Sequence, residues 1–423
     1  MQGKRSAILY IFLIALLIRV VAVFVIHYGL TPELQLKVIP PDARGFKNAM
    51  DIANSWKTGS AHNLMAGTFP KYDYFRAAVY TIMGYHRVIV PLINAFIGAL
   101  AVFMLYDLAK GLFNKRVALI SSLLYTFFPS LIFWSTQNHK EILCIAIVVA
   151  SVWAITRLQT PFRPHHLLVL AFVIPLLMEL NELRGYIFIF LIYGIVLSFL
   201  VNMTKKACKK NIVYAIIFII LFYSVPQYVN AGIFSTIPRY LRDLTIRGVT
   251  YLMESDETKR GEIRRPAIDF FKDVETISDL RRGYSGGNAL YGPRIDLSSE
   301  IEIIKFLPKG IFNFLFRPFF WECRGLLQKM TIPEMFLWYA IFLFGLIGSF
   351  VHRKNWKRFF LIYFFVAVTT AAYSLVIANF GTAYRYKATL LPFFFIFAAA
   401  GIVYLMSHIR ERDGISSNAI DRI

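Results

Sequence analysis

Carboxylates and fixed cations recur where the polar stretches of this chain meet its apolar runs. The first is Asp42, in the stretch IPPDARGFKNAMDIANSW that follows the first apolar run. The others lie far along the chain: Arg87, His139, Lys140, Glu141, Glu182 and Arg385. An ionised carboxylate can accept a proton from a hydroxyl, and Arg and Lys can hold a phosphate and stabilise it as it leaves. These residue types predict that chemistry if folding gathers them at one place.

Asp42 also suits a purely structural role. Pro40 and Pro41 interrupt the preceding conformation because neither can donate a backbone hydrogen bond, and Asp is a preferred helix N-cap. Apolar residues then recur at helical spacing, at Phe46, Ala49, Met50 and Ala53. The spacing predicts a short amphipathic helix in a loop, with Asp42 either capping it or acting as a base.

Composition predicts the class of protein. The 423 residues are 57% hydrophobic with a mean hydropathy of +0.56, and several runs exceed the roughly 18 apolar residues that indicate a membrane span. The net charge of +21 lies largely in short loops between these runs, which indicates topology signals and contacts with anionic membrane lipids rather than nucleic acid. Lys4 and Arg5 before the first run predict an uncleaved anchor.

The runs predict an all-α polytopic membrane protein of about ten transmembrane helices with both termini cytoplasmic. The expected spans are about 7–27, 88–108, 117–136, 142–156, 166–180, 185–202, 211–230, 333–351, 359–378 and 388–407. Basic short loops alternate with less basic ones, which orients the chain. Arg19 lies within the first span, where it either marks a protein-facing or functional position, or snorkels to the headgroups or pairs with a neighbouring span.

Three regions follow from this topology. Residues 1–230 form a transmembrane module whose first outer loop is 28–85, and residues 333–423 supply the last spans. Residues 231–332 form a large extracytoplasmic segment, in which 306–321 is apolar but interrupted by Pro308 and Pro318. That pattern predicts an interfacial or re-entrant helix rather than a span.

The unusual polar residues converge on the outer membrane boundary of this topology. They are Asp42, His139, Lys140, Glu141, Glu179, Glu182, Arg184 and Arg385. Each has a structural alternative: Lys140 and Glu141 suit the start of a helix, Glu179 and Glu182 could pair with Arg184, and Arg385 with Lys387 could anchor the last span at the headgroups. Their joint position favours a site that opens at the membrane, where a phosphate is expected to be attached to a lipid.

Three stretches resemble the GT-C superfamily of polyprenyl-phosphate-sugar glycosyltransferases, in particular its bacterial glycosyltransferase family 39, or protein-mannosyltransferase-like, branch. They are PPDARGFKNAMDIA in the first outer loop, residues 87–141 with Arg87, Asn94, Pro129, Trp134-Ser135 and Lys140-Glu141, and GTAYRYKATLLPFFFIFAAAG at 381–401. Together they cover about half the chain. The departure is at the acid motif, where many members have two adjacent acids and this chain has Asp42 followed by Ala43 and Arg44.

The resemblance implies an enzyme that moves a sugar from a polyprenyl-phosphate donor to a glycan, lipid or protein acceptor, with inversion. It implies Asp42 as the general base and a transition state of oxocarbenium character. Arg385, Lys140 and Arg87 would contact the donor phosphate, and Glu141, Glu182 and His139 would orient groups or bind a metal. No cofactor is certain from the resemblance, which leaves a divalent metal such as Mg²⁺ or Mn²⁺ open.

Three other interpretations stay open from the sequence. The first is a polymerase or ligase of the O-antigen type that uses diphosphate-linked glycans, and the second is a flippase or transporter of lipid-linked oligosaccharides. The third is a structural membrane subunit, for which no single outer-face carboxylate would be essential. A transporter predicts broken helices and acids near the bilayer midplane, whereas the acids here cluster at the outer boundary. The expected location is a bacterial inner membrane, with the site on the extracytoplasmic side.

Overall fold

A computed structural model describes residues 3–39, 43–58, 71–204, 207–224, 281, 300–323 and 325–412. Asp42 and most of the predicted segment 231–332 lie outside the described residues. Within them the structure is helical and contains no strand, which agrees with the predicted fold class.

The first ten helices run to residue 224. They are α1 (Gly3–Phe24, continued as a π-helix over Val25–Gly29), α2 (Pro32–Val38), α3 (Ala43–Thr58), α4 (Lys71–Met83), α5 (Ile89–Leu112), α6 (Lys115–Phe127), α7 (Pro129–Ser135), α8 (Glu141–Leu158), α9 (His165–Val201) and α10 (Cys208–Ser224). The remaining six are α11 (Glu300–Phe316), α12 (Leu326–Met330), α13 (Ile332–Val351), α14 (Trp356–Val376), α15 (Phe380–Lys387) and α16 (Leu391–Arg412).

Seven helices of the described residues are long and apolar enough to cross a membrane: α1, α5, α8, α9, α13, α14 and α16. An eighth span results if α6 and α7, which meet at a bend of 58°, are counted as one. This count is lower than the predicted ten because it takes 165–201 as one helix and leaves out 208–224, which has 17 residues. The structure is that of a polytopic membrane protein.

Helix α9 reverses direction near Arg184. A straight helix of its 37 residues would be about 56 Å long. Yet His166 at its start contacts Tyr214 Oη at 2.9 Å, and Asn211, one turn from Tyr214, donates to the carbonyl of Asn202 at 3.0 Å. Both ends of α9 therefore lie beside α10. The backbone at Arg184 is non-helical, and the tight turn predicted at 181–184 lies at this reversal.

The basic loops meet at one end of the bundle. Asn202 Nδ2 donates to the carbonyl of Lys357 at 3.0 Å, and Arg358 donates to the carbonyl of Gly111. Lys210 Nζ donates to the carbonyls of Leu158 and Thr160 at 2.8 and 2.6 Å. The connections after α5, α8, α9 and α13 thus share one end, as the loop charges predict, and we call it the basic end.

The predicted helix in the first loop is present as α3. Ala49 and Ala53 are buried, while Phe46 lies 6.4 Å from the Tyr80 ring of α4. Asn48 Nδ2 donates to Asp73 Oδ2 at 3.0 Å across the same contact. Apolar packing and one polar contact therefore fix α3 against α4.

Helix α11 contains Pro308 and ends just before Pro318, so the apolar stretch 306–321 is helical but interrupted. Its last carbonyls have no partner within the helix. Trp338 Nε1 and Lys387 Nζ donate to the carbonyl of Leu315 at 2.7 and 2.9 Å, and Tyr339 Oη donates to that of Phe316 at 2.7 Å. These bonds attach α11 to α13 and α15.

Arg19 faces protein. Its side chain is fully buried, and its guanidinium donates to the carbonyls of Ala15 and Tyr125 at 3.1 and 3.3 Å. Gly98 leaves room for it, since a Cβ there would lie 3.2 Å from Arg19 Nε. Backbone carbonyls and the Tyr125 ring, 5.3 Å away, surround this cation within the bundle.

Candidate active site

Glu141 lies between two arginines that come from distant parts of the chain. It is the first residue of α8, at the end opposite the basic end, and it is buried. Arg184 donates to Oε2, while Arg385 Nε lies 3.4 Å from Oε1. One buried acid therefore forms a hydrogen-bonded ion pair with Arg184 and a longer ion pair with Arg385.

Lys140 adds a third positive charge to this group. Its Nζ donates to the carbonyl of Leu183 at 2.6 Å, at the reversal of α9. Burial lowers the pKa of Lys140, and the neighbouring charge of Arg184 lowers it further. We call Lys140, Glu141, Arg184 and Arg385 the Glu141 cluster.

Tyrosine rings enclose the buried side of the cluster. The Arg184 guanidinium lies 4.2 Å from the centroid of Tyr386 and donates to Tyr186 Oη at 3.3 Å. Tyr373 completes the group, and its ring centroid lies 4.9 Å from that of Tyr386 and 5.9 Å from that of Tyr186. Arg385 lies 5.1 Å from Tyr386 on its other side and keeps 31% of its side chain exposed. Arg385 is thus the accessible cation and Arg184 the enclosed one.

The turn that leads into Glu141 is held by its backbone. Asn94 Nδ2 donates to the carbonyls of Gln137 and His139 at 2.8 and 3.1 Å, and Arg76 donates to that of Asn138 at 2.7 Å. Asn94 is fully buried. Asn94 and Arg76 therefore hold the turn 137–140 through its backbone carbonyls, in addition to the bond from its own Asn138 side chain to Tyr80 Oη at 3.2 Å.

Asp73 is an acid that the sequence analysis did not nominate. It is buried, lies 3.4 Å from Arg76 and accepts a hydrogen bond from Asn48. Through Arg76 this network joins α3 and α4 to the turn before Glu141. The spacing of Asp73 and Arg76, three residues apart in a predicted loop helix, is the sequence signal that could have found it.

Of the predicted phosphate contacts, Lys140 and Arg385 come together, and Arg87 is engaged elsewhere. Arg87 donates to the carbonyl of His27 and to Gln35 Oε1, the latter at 2.9 Å, and its guanidinium lies 4.9 Å from the Tyr28 ring. It therefore fixes the end of the first span. Asp42 cannot be related to the cluster because it lies outside the described residues.

The other predicted residues have different surroundings. His139 is an electrostatic neighbour of Glu141, and Glu182, two residues before Arg184, is exposed. The carboxylate that Arg184 contacts is Glu141. Lys387 does not anchor a span at the headgroups, because it is buried and bound to the carbonyl of Leu315.

Metal binding was predicted only as an open option. No group of three or more His, Cys, Asp and Glu side chains that could hold a metal occurs in the described part of the chain. Glu141 faces two guanidinium groups, and their positive charges disfavour a metal cation beside it. The cluster as it stands is suited to an anion.

Comparison with known proteins adds a family and a fold. Residues 68–229 match the family model of dolichyl-phosphate-mannose-protein mannosyltransferase. The matched segment of this chain contains Asp73, Lys140, Glu141 and Arg184. No curated protein sequence matches the chain.

The fold is similar to that of an oligosaccharyltransferase from Archaeoglobus fulgidus. The structure of archaeal AglB with an inhibitory peptide and a dolichol-phosphate has a TM-score of 0.55 and 13% identity, over 99% of this chain and 52% of that one. The form tethered to an acceptor peptide with an NVT sequon has a TM-score of 0.53 and 14% identity, over 97% and 51%. A complex with Zn and sulfate has a TM-score of 0.52 and 13% identity, over 95% and 50%.

The chain spans about half the length of the oligosaccharyltransferases it matches, and at this identity the likeness shows the fold. The family match and this fold agree with the resemblance noted in the sequence. Residues 68–229 are thus similar to a mannosyltransferase family, and the fold of the chain is similar to that of a membrane oligosaccharyltransferase.

Proposed function

We propose that this glycosyltransferase moves a sugar from a polyprenyl-phosphate donor to a glycan, lipid or protein acceptor. The transfer would take place at the extracytoplasmic face of a bacterial inner membrane and invert the anomeric carbon. The single observation that carries the proposal is the Glu141 cluster, in which one buried acid orients two arginines at one end of the bundle.

The charge of the cluster suits a phosphate leaving group. Lys140, Arg184 and Arg385 against Glu141 leave an excess of two positive charges. A phosphate that links a lipid to a sugar carries one negative charge, and the monoester released by transfer carries about −1.5 to −2. Interactions with the cluster would therefore strengthen as the bond to the sugar breaks, which is the condition for lowering the barrier.

Arg385 is the residue we assign to direct phosphate contact. It is the more exposed of the two arginines, and its Nε lies 3.4 Å from Glu141 Oε1, so its other N–H groups can donate to phosphate oxygens. Arg184 is enclosed by tyrosines and would act at longer range. Lys140 would fix the turn of α9 and add positive charge.

We assign the general base to Asp42, on the sequence and its family resemblance. The carboxylate would take the proton of the acceptor hydroxyl as that oxygen attacks the anomeric carbon from the face opposite the phosphate. Helix α3, which begins at Ala43, is bound to α4 and through Arg76 to the turn before Glu141. These contacts support a fixed relation between the first outer loop and the cluster.

Transfer of a radiolabelled sugar in membranes tests the proposal at matched expression. Asp42→Asn keeps a helix cap but cannot take a proton, so we expect a folded and inactive protein. Arg385→Gln removes one charge-assisted donor, for which we expect a transfer rate about 10²–10³-fold lower. Asp51→Asn, an exposed acid in the same helix α3, is the matched control.

The same assay separates the alternatives. Feeding monophosphate- and diphosphate-linked donors in parallel distinguishes the proposed enzyme from a polymerase or ligase of the O-antigen type. Transport without sugar transfer would indicate a flippase. Full transfer by Asp42→Asn would contradict the assigned base.

A further inference from the structure

A second site lies at the basic end, opposite the Glu141 cluster. It is a pocket of about 590 Å³ between the ends of α5, α8, α9 and α14, a volume in the range of ligand sites. Its lining includes three cations, Arg157, Lys210 and Arg358, and one carboxylate, Asp107. The pocket is therefore a positively charged concavity, and none of its residues belongs to the proposed transfer site.

The three cations are held in place and keep donors to spare. Lys210 uses two of its three N–H donors on the carbonyls of Leu158 and Thr160. Arg358 donates one group to the carbonyl of Gly111, and Arg157 one to Asp107. Because these contacts already fix the side chains, an anion that enters the pocket meets oriented donors at a reduced entropic cost.

The remaining lining suits the part of a phospholipid where the phosphate joins the glycerol. Thr160, Asn202 and Thr204 offer polar groups, whereas Leu112 and Phe162 supply apolar surface. Phe162 is 60% exposed. Trp153, which donates to Asp107 at 2.7 Å, is of the residue type enriched where membranes meet water.

Helix length places this pocket near a membrane boundary. Glu141 begins α8 at the Glu141 cluster, and Arg157 lies in the last turn of the same 18-residue helix. Eighteen residues span about 27 Å, close to the roughly 30 Å of bilayer hydrocarbon. If the Glu141 cluster lies at one headgroup layer, the pocket lies at the other.

We propose that this pocket binds the phosphate of an anionic phospholipid headgroup, separately from the sugar donor. Arg157, Lys210 and Arg358 would donate to the phosphate oxygens, with Phe162 against the glycerol. Asp107 would limit the affinity by its negative charge. The proposal does not depend on the function assigned above.

The experiment uses the full chain in phosphatidylcholine nanodiscs, titrated with phosphatidylglycerol and followed by native mass spectrometry of retained lipid. Each of R157Q, K210Q and R358Q is expected to weaken retention about fivefold, the value of one charge at a membrane surface. D107N is expected to strengthen it by a similar factor. K354Q removes an exposed charge at the same end outside the pocket, and we expect it to retain lipid as wild type does.

Parallel measurements distinguish a specific lipid pocket from a soluble phosphate site and from a general effect of surface charge. A parallel titration with inorganic phosphate identifies a soluble phosphate ligand if it alone protects the protein against thermal unfolding, and that result would overturn the lipid as the source. Equal losses in K354Q and the pocket variants would indicate a general surface charge effect and overturn the proposal. D107N is expected to retain more lipid than wild type, and a variant that only misfolds would not show such an increase.

Discussion

Replacing Glu141 by glutamine tests whether one acid holds the Glu141 cluster together. The change keeps the size of the side chain and removes its charge. Arg184, whose side chain is 3% exposed, would then be a buried cation without its carboxylate, whereas Arg385 at 31% exposure can turn to water. The cost should therefore come from Arg184.

Removing one partner of a buried ion pair typically costs about 3–5 kcal/mol. We expect E141Q to lose an amount in this range, and the double variant E141Q/R184M to recover most of it because no uncompensated charge remains. The double variant should still transfer sugar poorly, since Arg385 has lost its anchor. Stability and activity would thus separate.

The assay is reversible unfolding in mixed micelles alongside sugar transfer in membranes. E322Q is the matched control, because Glu322 pairs with Arg317 at 3.2 Å and is 20% exposed against 3% for Glu141, so the loss of its charge should cost less. If E141Q is as stable as E322Q, or if adding R184M brings no recovery, Glu141 does not compensate Arg184 and the reasoning is refuted.

Three further predictions concern packing, pH and the first loop. A Cβ at Gly348 would lie 2.0 Å from the carbonyl oxygen of Phe397, so Gly348→Ala should lower the free energy of unfolding by about 1–3 kcal/mol. Gly345→Ala is the control and should be tolerated, because a Cβ there would lie 3.8 Å from its nearest atom. Burial lowers the pKa of Lys387 from 10.5 to about 8, so between these pH values the unfolded chain binds more protons than the folded one. As the pH rises through this range, the stability of wild type should therefore increase by up to about 3 kcal/mol relative to that of Lys387→Met. A constant difference in melting temperature between the two proteins from pH 7 to 10 would contradict this. Asp73→Asn should weaken charge-assisted bonds by about 1.5–3 kcal/mol and speed hydrogen exchange across α3, with unchanged exchange as the contrary result.

Local pattern was enough to predict most of the helices. The amphipathic helix after Asp42 is present as α3 because its apolar residues at spacings of three and four can pack on one neighbour. The predicted interruption of 306–321 occurs before Pro318, where the helix ends at Phe316, whereas the helix continues through Pro308. Loop charges predicted which connections share an end, and the hydrogen bonds of Arg358 to Gly111, Asn202 to Lys357 and Lys210 to Thr160 agree with that.

Pairing between distant residues was beyond sequence reasoning. Lys140 and Arg385 could be nominated as residue types, but Arg87 could not be told apart from them, because which cation meets a carboxylate depends on the fold. The sequence suggested that Lys387 could anchor the last span at the headgroups, whereas its buried Nζ donates to the carbonyl of Leu315 in the last turn of α11. Asp73 was passed over for the same reason, since its partner Asn48 lies on another helix.

The sequence by itself determined that this chain is a helical membrane protein, where most of its helices lie, and which superfamily it resembles. These properties depend on hydropathy, periodicity and short motifs, all of which act within a few turns of the chain. Only the tertiary structure decided that Glu141 joins Arg184 and Arg385, and that a basic pocket forms at the other end. Those contacts bring together residues 43 and 244 positions apart, and only the packing of helices decides which distant charges meet.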